Sequence, residues 1–193
     1  ASRTPDELAA MRAIKQALAH VYLMQNEPAQ SEALYRDLLR RDPNDRRALI
    51  ELARNALRTR DLEEARTLLD RADKAGVSPA QVAVERASLY TLSGEKDRAR
   101  QLLETTLRES PNSLRGWVML AGLCVEAGDA AALQDCLRRI SDIERGHGYF
   151  SAVIRGHRAL SEKKWDEAVA YFERALSAQP RQAELLEQVL RLD

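Results

Sequence analysis

The chain has little of what marks catalytic, disulfide-stapled or membrane-spanning proteins. Two cysteines in 193 residues, Cys124 and Cys136, are too few for a disulfide framework and lack the CxxC spacing of a zinc site. Aromatic residues make up only 5% while Ala, Leu and Arg abound, which favours helix over sheet. No apolar run approaches the ~20 residues needed to cross a bilayer. The 30 basic and 30 acidic side chains cancel, which argues against a general polyanion binder. No glycine-rich phosphate loop, nucleophile elbow or HExxH is present, and His20, His147 and His157 lack metal-ligand spacing. The expectation is a non-enzyme with no cofactor, no metal and no nucleic-acid partner. The excess of arginine over lysine reads as GC-rich bacterial coding. The opening "ASRTPDEL" has neither initiator Met nor signal peptide, so it reads as an excised or processed segment. The compartment stays open, with the cytoplasm the default and the periplasm the alternative.

What is present is a period. Ala65 and Ala99 lie 34 residues apart in "DLEEARTLLDRA" and "EKDRARQLLETT"; the same slot falls on Ser31 one period earlier and on Leu133 and Ala168 later. A fixed period of this length predicts a helical solenoid, a fold that presents surfaces more often than it catalyses. The units are 12–45, 46–79, 80–113, 114–148 and 149–182, preceded by a helical extension 5–11 and followed by a capping helix 183–193. Together they form one repeat domain over 1–193. Pro43, Pro111 and Pro180 occupy one slot, where proline ends the preceding helix. Gly94 and Gly128 mark mid-unit turns. Apolar residues keep helical spacing, as in Leu49, Leu52, Ala53 and Ala56, then Leu62, Ala65, Leu68, Leu69 and Ala72. Ala19, Ala53, Ala87, Ala121 and Gly156 share a slot whose small side chains let paired helices approach. Thr4-Pro5-Asp6-Glu7 reads as a capping box.

The pattern resembles the tetratricopeptide repeat. It matches at Trp117, Leu120 and Ala121, at Tyr22, Tyr35 and Pro43, and at Gly156, Ala168, Phe172, Ala175 and Pro180. The resemblance implies an all-α fold: a right-handed α-solenoid of antiparallel helix pairs. It also implies a concave groove that takes an extended peptide or partner helix. The groove slots carry Arg47, Ile50, Arg54 and Arg58 in the second unit and Val84 and Ser88 in the third. They carry Arg115, Val118, Met119 and Val125 in the fourth, then Phe150, Val153, Ile154 and His157 in the fifth. Acidic flanks of a ligand would meet Arg47 and Arg54, and its apolar anchors would enter near Val118, Met119, Val153 and Ile154. The carboxylate clamp of some family members needs Lys and Asn at slots that here hold Gln16, His20, Glu51, Gln81 and Glu85. The expected function is a protein-interaction scaffold. A self-associating module of a larger envelope or secretion assembly, including a homodimer, and a regulatory domain of a larger enzyme are the alternatives.

Three departures carry expectations of their own. Lys15 stands where a large apolar residue would meet a preceding unit, and reads as the polar end of the stack. Arg86 replaces a leucine and should reach the edge or pair with Glu85 or Glu51. "ERGHGYF", which holds the extra residue of the fourth unit, is the hinge candidate. Cys124 and Cys136 read as buried free thiols, with a disulfide as the alternative.

The register itself is testable by urea denaturation. Ala65→Leu and Ala168→Leu should each cost ~1–3 kcal/mol by overpacking a helix pair, and Leu69→Ala ~2–5 kcal/mol by leaving a cavity. Near-neutral values in all three would show the register to be wrong.

Overall fold

The computed structural model describes residues 4–145 and 148–178. Those residues form helices α1 Pro5–Met24, α2 Pro28–Arg41, α3 Arg46–Arg58, α4 Leu62–Lys74 and α5 Pro79–Leu92. Then follow α6 Lys96–Glu109, α7 Leu114–Ala127, α8 Ala130–Glu144, α9 Tyr149–Ser161 and α10 Trp165–Ala178. No strand occurs among the described residues. The chain divides into two compact halves, Ala1–Leu102 and Leu103–Asp193, the boundary falling inside α6. In the first half, α1 pairs with α2 and α3 with α4, while α3 also packs on α2, and α5 on α3 and α4. In the second, α7 pairs with α8 and α9 with α10, and α9 packs on α7 and α8.

Local chemistry explains the helix ends. The Thr4 hydroxyl accepts from the Glu7 amide at 3.3 Å while Glu7 Oε2 accepts from the Thr4 amide at 2.8 Å, with Pro5 at the first helical position. Asp45, Asp61, Ser113 and Asp129 each accept an amide three residues on, so α3, α4, α7 and α8 begin with one orphan donor satisfied. The five mid-unit turns share one device. Asn26, Arg60, Gly94, Gly128 and Lys163, all in the same slot, adopt positive φ between 58° and 82°. The amide after each donates five residues back, from Glu27 to Tyr22, Asp61 to Ala56, Glu95 to Tyr90, Asp129 to Cys124 and Lys164 to Ala159, at 2.8–3.0 Å. This is the Schellman closure, which satisfies carbonyls at the helix end. Three of the five turns use a residue with a side chain, at a cost of about 1–2 kcal/mol each relative to the right-handed well.

Packing follows the small slots. Ala19, Ala53, Ala87 and Ala121 are fully buried, and Ser31, Ala65, Ala99, Leu133 and Ala168 are buried in the facing slot. At Gly156 the approach is closest: a Cβ there would stand 2.7 Å from Cε1 of Phe172. That ring is buried in the α9–α10 core and meets His157 edge-on at 5.5 Å.

Polar departures are resolved within the helix pairs. Lys15 does not face outward as the end of a stack; its ammonium pairs with Asp37 on α2, and its side chain is mostly buried. Lys15 and Arg40 together hold the Asp37 carboxyl at about 2. Arg86 pairs with Asp70 at 2.9 Å and Asp73 at 3.4 Å, both on α4, and not with Glu85 or Glu51. Cys124 and Cys136 are both buried. In the segment read as a hinge, Gly146 and His147 lie outside the described residues, but its flanks are tied together. Glu144 Oε1 accepts from the Phe150 amide at 2.7 Å, and Oε2 accepts from the Ser151 amide at 3.3 Å and from the Ser151 hydroxyl. The N-cap of α9, Gly148, has no side chain, so a carboxylate from the end of α8 caps it, at the positive end of the helix dipole. The capping segment 183–193 and Pro180 lie outside the described residues.

The Gly156–Phe172 contact predicts a sign reversal. Gly156→Ala should destabilise the native protein by about 1 kcal/mol, because overpacking exceeds the gain in helix propensity. In a Phe172→Leu background the same substitution should stabilise by a similar amount, as read from paired urea titrations.

Candidate functional site

The residues expected to line a groove separate by environment. In the first half Arg47 is exposed on the first turn of α3, and Arg58 is exposed with a hydrogen bond to Asn55 Oδ1 at 2.7 Å. Ile50 and Val84 are only 1% and 3% exposed, so they are core and cannot offer side chains to a ligand. Helices α3 and α5 pack on each other, and Ile50 belongs to the core of the first half. Ser88 is half-buried and donates to the Val84 carbonyl at 3.3 Å. Arg54 is corrected too. Its Nη1 meets Glu51 at 2.8 Å and its Nε meets Glu85 at 2.8 Å, with the Glu85 side chain only 2% exposed. This guanidinium offsets a buried carboxylate and ties α3 to α5. Removing it would strand that charge, so an Arg54 variant would report on stability before binding.

In the second half, Arg115 is exposed, and Val118, Met119 and Val125 are half-buried on α7. On α9, Phe150, Val153 and His157 are half-buried, while Ile154, 6% exposed, belongs to the core. Phe150 and Val153 pack on the α9–α10 cluster, and Phe150 meets Tyr149 edge-on at 5.0 Å. Much of the apolar stretch read as ligand anchors is therefore packing between helices.

The open space of the first half lies around the α2–α3 turn, in clefts that share lining residues. One of about 390 Å³ is framed by Leu8, Met11, Arg12 and Leu38. The next, about 530 Å³, runs from Arg12 and Gln16 past Asp45 to Arg46 and Arg47. A third, about 440 Å³, continues from Arg46 and Arg47 over Ile50 to Gln81 on α5. Asp45 is buried, caps α3 and accepts from Gln16 Nε2 at 3.3 Å, so its charge is turned inward. Among the described residues Arg12 and Arg46 have no ion-pair or hydrogen-bond partner. Arg47 hydrogen-bonds Tyr35, whose hydroxyl is pushed up chiefly by burial and next by the Glu51 charge. The clefts thus present guanidinium groups in their middle, with the Asp42 and Glu51 carboxylates also on their lining, and apolar surface at one end.

Arg12 and Arg46 were missed because they fall outside the groove slots. A local signal existed: two arginines directly after an N-cap oppose the helix dipole, an arrangement unfavourable for the helix itself. Among the described residues no cluster of His, Cys, Asp and Glu is placed to hold a metal ion, and no helix is long and apolar enough to cross a membrane.

Burial lowers the proton affinity of His157 from its ordinary 6.5. The unfolded chain takes up that proton near pH 6.5, the folded chain only lower, so stability is full above this value and falls as pH drops below it. Thermal melts from neutral pH down to about pH 5.5 should show a decline that is shallower in His157→Leu than in the native chain.

Residues 17–79 match the family model described as tetratricopeptide repeat. No curated protein sequence matches the chain. Among solved structures, TTC0263, a thermophilic TPR protein of Thermus thermophilus, superposes with a TM-score of 0.76 at 17% identity, over 92% of this chain and 96% of that one. PilF of Pseudomonas aeruginosa gives 0.62 at 19% identity, over 93% and 81%. YrrB, a TPR protein with an unusual peptide-binding site, gives 0.52 at 13%, over 90% and 89%. Residues 17–79 therefore carry tetratricopeptide repeat sequence, and the chain has the all-α fold seen in solved proteins with such repeats.

Proposed function

We propose that the protein is a non-catalytic interaction scaffold that takes a peptide or helical segment of a protein partner on its first half. The segment lies along the clefts between α1, the α2–α3 turn and α5, with acidic residues over Arg46 and Arg47. The observation that carries this reading is that the two guanidinium groups are shared by adjoining clefts while Arg54, two turns further along α3, is consumed by Glu51 and Glu85. Arg46 has no side-chain partner among the described residues and Arg47 is held only by Tyr35, so both can meet a carboxylate. The peptide-binding site of YrrB, a protein of similar fold, is consistent with such a role.

The experiment is fluorescence polarisation with a panel of labelled acidic and neutral peptides, comparing the native chain with Arg46→Glu/Arg47→Glu. Both side chains are exposed, but Arg47 also bonds the buried Tyr35, so thermal melts of the variant and of Arg46→Glu alone accompany the binding curves. Acidic peptides should bind the native chain more tightly than neutral ones, weaken as salt rises, and lose ~10-fold or more affinity in the variant. Equal binding of acidic peptides to both proteins would overturn the assignment.

A further inference from the structure

Helix α1 leaves an apolar face open. Ile14, Leu18, Val21 and Met24 are 60%, 41%, 47% and 76% exposed, although the same helix buries Ala19 against its own pair. With 100° between residues these four fall on one side, together with Ala10, Ala13 and Ala17. Ile14 and Leu18 hold the slots that on α3 are filled by Ala48 and Leu52, both buried. Val21 holds the slot of Leu89 on α5, also buried. The face is thus built as a helix-packing surface, continuous in register with interfaces used inside the first half. It is not blunted as the end of a repeat stack must be, since Lys15 is turned onto Asp37 and Gln16 onto Asp45.

We propose that this face takes a second copy of the chain, α1 against α1, antiparallel about a two-fold axis passing between Lys15 and Gln16. The argument is self-complementarity. Ala10, Ile14, Ala17, Val21 and Met24 follow the alternating four-and-three spacing of a coiled-coil seam. In the register that overlaps residues 7–24 of both helices, Val21 faces Ala10, Ile14 faces Ala17 and Met24 faces Glu7, with Leu18 and Ala13 on opposite flanks of the seam. In the inner layers each branched side chain meets an alanine, so the helices interdigitate at close range. The charged residue on the seam, Glu7, sits at its two ends, where its carboxylate accepts from the Thr4 amide of its own helix and does not meet its own copy. An isologous contact of this kind closes as a dimer and stops there. One helix pair buries less than the ~800 Å² a side of a standard interface, so the dimer should dissociate in the micromolar range.

Sedimentation equilibrium over roughly 1 µM to 1 mM tests it, with far-UV circular dichroism to confirm that each variant is folded. The native chain should pass from monomer to dimer without larger species. Leu18→Glu, at an exposed position, should stay monomeric. Ala10→Leu/Ala17→Leu adds apolar surface but removes the gaps, and should weaken the dimer ~10-fold or more. A native chain that remains monomeric overturns the proposal. So does dimerisation unchanged in Leu18→Glu, which would put the contact elsewhere. Association that is equal or tighter in the double-leucine variant also overturns it, since a merely adhesive face would gain from added leucines.

Discussion

The contact on which the structure depends is the close approach of two helices at slots too small to keep them apart. Ala19, Ala53, Ala87, Ala121 and Gly156 fill the one slot, and in the opposing slot Ala65, Ala99 and Ala168 are joined by Ser31 and Leu133. Side chains of this size bring the backbones within reach, and the larger apolar residues around them then pack at interior density. Where the slot shrinks to glycine, the space goes to a ring: Phe172 occupies what a Cβ at Gly156 would claim. The small residues set the spacing, and the spacing decides which neighbours are core. Ile50, Val84 and Ile154 are enclosed for that reason.

The repeat register was legible because it rests on a period, and a period accumulates evidence from every unit. The helix starts were legible for a local reason, since a capping side chain acts within three residues. The mid-unit turns were only half legible. Gly94 and Gly128 announce a left-handed residue, but Asn26, Arg60 and Lys163 adopt the same geometry because the surrounding hydrogen bonds impose it. Charge pairing was the least legible feature. Arg86 has Glu85 beside it in sequence, yet neighbours on a helix point apart. The guanidinium reaches Asp70 and Asp73 on α4, and Glu85 is left to Arg54.

The same distinction separates structural from available arginines. Arg54 and Arg86 sit between helices and are neutralised there, so their charge is a property of the packing. Arg46 and Arg47 lie at a helix start where their charge is locally unfavourable, facing clefts. Slot assignment alone could not sort them, because a groove slot specifies direction but not whether a carboxylate of a neighbouring helix arrives first.

Glu144 has a mechanical consequence. In a stack whose members touch only their neighbours, tension applied at one end passes through the links in series, and the weakest link sets the yield point. Beside the covalent chain between α8 and α9, Glu144 lays a second path, from the last turn of α8 to the amides of Phe150 and Ser151. Those two donors are backbone groups, so most side-chain replacements on α9 would leave that path intact. Its resistance to tension is held by one carboxylate.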